Sequence, residues 1–280
     1  MLMEIIRRSL AYQKSAVLFV CRNFPYLILF ALLPAVCHGL LRTEQTYFDF
    51  FEKLRSSASG KLTFQEIYVN FSMIFSNRGW LGLLALALYA AGISGVAYQV
   101  EKIMRIGKRN FAGVPHGFNN HILITVIAGA LYILSYEVIS LVLSALLIAF
   151  SAMFSTGFVY FISIVFILAA YVLYTFVATP FFVWIPCLFV NGYRFGEGFV
   201  EATYLLENKW TSVAFSVIMP FLVCQLVFLL LKVAFNQVFF AVKIVVYAFV
   251  FLYYVALAYT VFFDLTGMER VDLKKKYGGK

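Results

Sequence analysis

Residues 191–220, NGYRFGEGFVEATYLLENKWTSVAFSVIMP, decide how this chain is read. The stretch opens on the turn pair Asn191-Gly192 and runs through a short amphipathic segment. It then passes over Asn208-Lys209-Trp210 straight into a long apolar run. Phe195, Phe199, Ala202 and Leu206 recur at the spacing of one face of an α-helix, with Glu197 and Glu201 to the side of that face. Such a helix lays its aromatic side in the acyl boundary and keeps its carboxylates in water. An indole like that of Trp210 prefers the headgroup level. The pattern predicts a helix on the membrane surface, an elbow, and a descent into the bilayer. An ordinary amphipathic helix docked on another cytosolic element is the alternative; the unbroken apolar run after Trp210 favours the membrane.

The arrangement recurs. Arg22-Asn23-Phe24 lies ten residues before Pro34, as Lys209-Trp210 lies ten before Pro220. In the first copy an amphipathic segment carrying Arg7, Arg8 and Lys14 comes before the step. A weaker third copy runs from Pro115 through His121 into the apolar run at Ile122. Three units, each a surface helix followed by two spans, account for the whole chain.

Composition agrees. Of 280 residues 63% are hydrophobic and only 12% charged, about half the charged share of a soluble domain. Windows of about 19 residues give six spans, at roughly 23–41, 80–100, 122–150, 157–190, 213–235 and 238–263. The expected fold is all-α, a single polytopic membrane domain of six transmembrane helices with amphipathic interfacial elbow helices. Pro180 and Pro186 predict a kink or break near the end of the fourth span. Arg7, Arg8, Lys14, Arg22, the loop cations Lys102, Arg105, Lys108 and Arg109, and the C-terminal Arg270 and Lys274 to Lys276 fall on one side. That asymmetry places both termini in the cytoplasm, and a bacterial inner membrane is the expected location. The net charge of +9 is a topology and lipid-surface signal, because no compact basic domain exists to bind nucleic acid. Arg22 interrupts the first apolar run and no small-residue cleavage site follows, so no cleavable signal is expected.

Smaller signals fill in the layout. Residues 42–79 form the one long external loop, with Thr63 and Glu66 as a T-x-x-E capping box before a short helix. Asn70-Phe71-Ser72 is formally a glycosylation sequon. In the second span Ala91 and Gly95 make a small-xxx-small pair, which marks that helix as central to the bundle. Cys21, Cys37, Cys187 and Cys224 are scattered without metal-ligand or CxxC spacing and read as apolar residues of the spans.

Candidate chemistry is sparse. Glu137 is the one acid deep inside a span, roughly 22 Å past its start. An intramembrane ionisable group is a functional candidate by default. Lys232, Lys243 and His38 are at comparable depth, so a structural pair with Glu137, a neutral carboxyl bonded to nearby hydroxyls, a proton or substrate relay, and exposure to a water-filled mouth are the readings to weigh. The cluster Lys102, Arg105, Lys108 and Arg109 reads as a topology determinant or an anionic-lipid contact. Ser94, in Gly92-Ile93-Ser94-Gly95, loosely evokes a nucleophile. His38, however, lies at the opposite end of its span, about 15–20 Å away by helix rise, far beyond the ~3 Å that nucleophile and base require. His116 and His121 come without an oxyanion motif. There is no HExxH, P-loop or nucleotide fingerprint, and Glu197, Glu201 and Glu207 have no His or Cys beside them for a metal. No enzyme activity and no cofactor are expected.

Residues 178–210, ATPFFVWIPCLFVNGYRFGEGFVEATYLLENKW, resemble the membrane domain of glycerophosphodiester phosphodiesterases and the bacterial six-span proteins grouped with it. Pro180, Pro186, Glu197, Glu201, Ala202, Leu205, Lys209 and Trp210 carry the resemblance, and residues 19–24, FVCRNF, look like that group's lead-in to span one. The resemblance implies the six-span layout with elbows. It does not imply phosphodiester hydrolysis, because the soluble catalytic domain of that group has no counterpart here. The expected role is that of a non-enzymatic accessory or scaffold subunit among membrane lipids and other membrane proteins. The alternative is a small transporter or lipid-handling protein with a cavity near Glu137.

Overall fold

The computed structural model describes residues 2–40, 63–72, 74, 80–153, 156–234 and 239–273. These residues form eight α-helices: α1 (Leu2–Leu40), α2 (Phe64–Phe71), α3 (Trp80–Ile106), α4 (Val114–Met153), α5 (Thr156–Asn191), α6 (Phe195–Leu206), α7 (Trp210–Ala234) and α8 (Phe239–Thr266). A 3₁₀ turn, Val271–Leu273, follows. Among the described residues there is no strand. Four stretches are long and apolar enough to cross a membrane: Met3–Leu32, Val114–Phe150, Phe161–Asn191 and Ala241–Thr266. A shorter apolar stretch is Trp210–Val223. A chain with this much apolar helix belongs with membranes.

Two expected elbows are not breaks in the chain. The N-terminal segment is one continuous 39-residue helix with the expected first span, running through Pro25 and Pro34. The third proposed surface segment, from Pro115 to His121, is the opening of the 40-residue α4. In α1 the reason is packing. Ala16, Phe19 and Val20 are buried at 0–3% exposure, and the Tyr12 hydroxyl donates to Asp264 Oδ2 at 2.6 Å, so this half lies along α8. Asn23 adds a side-chain bond to the Phe19 carbonyl at 2.8 Å, reinforcing the turn just before Pro25. In the same way α5 stays helical through Pro180 and Pro186, without the break that those prolines suggest.

The centre of the bundle is the last helix, not the second. Of its most apolar window 67% is buried, against at most 33% for the other candidate spans. Leu252, Ala256, Leu257, Tyr259, Val261 and Phe262 are all sealed at 0%. Helices α1, α3, α5, α6 and α7 pack around it. Proline and glycine set how closely its neighbours come. A proline has no N–H for the carbonyl four residues earlier, so Pro34 frees the Phe30 carbonyl and Pro220 that of Ser216. Gly92 of α3 sits against both Pro34 and the Phe30 carbonyl oxygen, and Gly95 lies against the Phe30 ring. The Ser216 carbonyl takes the Tyr253 hydroxyl at 3.4 Å, and Tyr254 donates to Val217 at 2.9 Å. A Cβ on Gly92 would come 2.3 Å from Pro34 Cγ. Gly92→Val is therefore expected to lower stability by about 1–3 kcal/mol through overpacking, read as an earlier thermal transition in detergent.

A second, smaller core holds α2. Ile67 and Phe71 of this helix bury against Leu143, Leu147, Ala170 and Tyr174 of the α4–α5 hairpin. Its N-terminus is closed by the expected capping box: the Thr63 amide donates to Glu66 Oε2 at 2.8 Å and the Glu66 amide to Thr63 Oγ1 at 3.4 Å. Residues 41–62, most of the long external loop, lie outside the described residues, as do the side chains of Asn70, His38, Lys232, Cys37 and Cys224.

Candidate functional site

The turn between α5 and α6 is built by Gly192, whose φ of +66° is open to glycine at little cost. Glu197 then accepts from the Arg194 amide at 3.3 Å, which satisfies a free donor at the start of α6. The periodic face is real, but it meets protein where the sequence predicts lipid. Trp184 of α5 donates its indole N–H to the Phe195 carbonyl at 3.0 Å. The Trp184 ring stands edge-on to Phe195 at 4.3 Å and to Phe199 at 5.1 Å. Ala202 and Leu206 are buried at 0%. Gly198 makes the approach possible, since a Cβ there would lie 2.7 Å from Leu188 Cδ2. Val200 and Tyr204, at 66% and 70% exposure, form the outward face together with exposed Glu197 and half-buried Glu201. The docked arrangement wins because α5 offers a complementary aromatic surface at Trp184, about two turns before its end. Trp184→Phe keeps the ring contacts and removes one hydrogen bond, so a loss of about 1 kcal/mol is expected, seen in thermal unfolding.

Beyond α6 the elbow is tied to the bundle centre. Lys209 Nζ lies 3.8 Å from Asp264 Oδ2, the same carboxylate that receives Tyr12. Trp210 packs half-buried against the main core, and its indole nitrogen is buried without a hydrogen-bond partner among the described residues.

Glu137 is clasped. Its carboxylate accepts from the Tyr68 hydroxyl at 2.7 Å, the Ser72 hydroxyl at 3.1 Å and the Ile74 amide at 3.0 Å. All three donors come from α2 and the residues directly after it. One turn along α4, Ser140 Oγ lies 2.8 Å from the Phe71 carbonyl and 2.9 Å from the Tyr174 hydroxyl, and the Tyr136 and Tyr174 rings stack at 3.9 Å. Burial, then the bond to Glu137, pushes the Tyr68 hydroxyl above the ordinary tyrosine range. Lys243, one of the cations the sequence offered as a partner, is on α8, buried at 3% exposure with its ammonium 5.6 Å from the Tyr247 ring.

The basic cluster divides between the last turns of α3 and the loop after it. Lys102 is buried at 8% and donates to the Asn110 carbonyl at 3.1 Å, to Asn110 Oδ1 at 2.6 Å and to the Ala112 carbonyl. Burial, then nearby Lys108, pulls its ammonium below the usual lysine range. Arg105 is paired with Glu101 at 3.0 Å. Lys108 and Arg109 are exposed. Ser94 Oγ lies 2.9 Å from Thr125 Oγ1 and 3.0 Å from the Ala90 carbonyl, holding α3 to α4. The His121 ring lies against Phe189 at 4.0 Å.

One cluster has no signal in the sequence. Arg270, counted there among the surface cations, is folded inward with Asp272, their side chains 8% and 9% exposed. Nε and Nη2 meet the two carboxylate oxygens at 3.1 and 2.8 Å. Nη1 reaches Ser15 at 2.9 Å and Thr260 at 3.3 Å, and the guanidinium lies 5.8 Å from the Phe19 ring. A charged pair two residues apart in a polar tail reads as solvated until α1 and α8 close over it. Among the described residues no group of His, Cys, Asp or Glu is arranged to hold a metal ion. Compared with family models, curated proteins and solved structures, the chain finds no match.

Proposed function

We propose that the chain is a six-span protein of a bacterial inner membrane, with both termini in the cytoplasm, that serves as a non-catalytic accessory or scaffold subunit for other membrane proteins. Two more helices support the count of six. α3 has 27 residues and α7 has 25, about 40 and 37 Å of helix, enough for a hydrocarbon core of about 30 Å. The cations at the N-terminal end of the bundle support the orientation. The likeness of residues 178–210 to the phosphodiesterase-associated membrane domain supports the same layout. The observation that carries the accessory role is the clasp: Glu137, the group best suited to intramembrane chemistry, holds α2 to the α4–α5 hairpin through three hydrogen bonds. Ser94 and Arg270 likewise fasten helix to helix.

Affinity purification of the full chain in a mild detergent tests this reading. A membrane protein recovered in fixed stoichiometry is expected. A lone, monodisperse chain that drives saturable uptake in proteoliposomes, lost on Glu137→Gln, would establish the transporter alternative instead.

A further inference from the structure

Phe111, 47% exposed, lies with its ring centroid 6.1 Å from Tyr26 and 6.4 Å from Phe30. The α3–α4 loop therefore folds over α1 at the first turns of the span expected from the sequence at 23–41. Lys108 and Arg109 come just before Phe111 and are exposed. Arg22, also exposed, lies one turn before Tyr26 on the same face of α1. Three exposed cations thus flank this aromatic contact in the chain, Arg22 one turn before Tyr26 and Lys108 and Arg109 within three residues of Phe111.

The loop that carries Lys108 and Arg109 is built from beneath. Lys102 holds it at Asn110 and Ala112, and Gln99 Nε2 adds a bond to the Asn110 carbonyl at 3.3 Å. Tyr98 packs against Gly113 at the end of the loop and against Gly117 in the first turn of α4, where a Cβ would come 2.1 Å from its ring. Lys102 commits its N–H groups to this clamp, so it organises the site without facing a ligand. Aromatic rings favour the boundary of the acyl region, and cations one turn outside it meet lipid phosphate.

We propose that Arg22, Lys108 and Arg109 form a binding site for the headgroup of an anionic phospholipid, in the leaflet at the N-terminal end of the bundle, with Phe111 seating the loop in the acyl boundary. Relative to the sequence assignment, Lys102 and Arg105 leave the ligand-facing set and Arg22 joins it. The site is independent of the accessory role.

Native mass spectrometry of the detergent-purified full chain, titrated with phosphatidylglycerol or phosphatidylcholine, tests the site. Phosphatidylglycerol is expected to bind preferentially. Each cation neutralised should weaken its binding about fivefold, so Arg109→Gln alone gives a measurable loss and the triple variant R22Q/K108Q/R109Q roughly a hundredfold one. Phosphatidylcholine adducts should not change, which also reports that the variants are folded. Lys102→Met should lower the preference with all three exposed cations in place. Arg194→Gln, an exposed cation at the α5–α6 turn, should leave it intact. Wild-type phosphatidylglycerol binding by the triple variant, or an equal loss in Arg194→Gln, would overturn the proposal.

Discussion

Arg270→Ala is expected to destabilise the folded bundle by about 3–5 kcal/mol, the usual cost of removing one partner from a buried ion pair. The substitution leaves the Asp272 carboxylate facing a low-dielectric interior without its two guanidinium bonds. It also strips Ser15 and Thr260 of a shared donor. Because these partners lie on α1 and α8, the loss falls on the principal packing of the bundle. Replacing both charges, as in R270M/D272L, should cost much less, since two buried charges balanced against each other contribute little beyond an apolar pair of similar size. Thermal unfolding of the detergent-solubilised protein, followed by size-exclusion chromatography, separates the two variants. Equal transitions for Arg270→Ala and the unmodified chain would show that the lock is open in solution.

Glu137→Ala should free α2. The Tyr68 and Ser72 hydroxyls and the Ile74 amide lose one shared acceptor. An unsatisfied buried group costs about 1–3 kcal/mol, and water reaching this end of the hairpin brings the sum toward about 3 kcal/mol. The effect is local: Ile67 and Phe71 still favour their apolar seat, so α2 opens as a unit while the main core stays closed. Hydrogen exchange should accelerate across residues 64–71 and not across α8. Glu137→Gln keeps one acceptor oxygen but turns an N–H₂ toward donors, so it should fall between. As for pH, Tyr68 has a raised folded value. Its contribution is therefore complete below the ordinary tyrosine value of about 10 and is lost only as pH rises through the higher folded one. Tyr68 should leave the clasp unchanged between pH 6 and 9 and loosen it in strong alkali. Loosening of α2 on that account at neutral pH would contradict the assignment.

Much of the local structure was legible from residues close together in the chain. The Thr63–Glu66 capping box and the helix Phe195–Leu206 both depend on short-range spacing, and both form where that spacing puts them. The continuity of α1 was not legible, because the Phe24–Pro34 pattern looks like Trp210–Pro220 while only the first lies in a single unbroken helix with the segment before it. Arg270 shows the same limit in charge. Whether a cation is wet or buried depends on what folds over it, here a segment more than two hundred positions away.

The sequence by itself determined that this chain is helical, that it is apolar enough to lie in a membrane, and which face of each amphipathic segment is apolar. Periodicity and hydropathy are sums over neighbouring residues, so they survive without knowledge of the fold. Only the tertiary structure decided what covers those faces: Trp184 in place of lipid over α6, α1 and its neighbours around α8, and α2 over Glu137. Lipid tails and leucine side chains are equally apolar, so no count of hydrophobic residues distinguishes a face turned to the bilayer from one turned to another helix. That choice rests on shape, on the glycines that allow close approach, and on polar groups finding partners across the bundle.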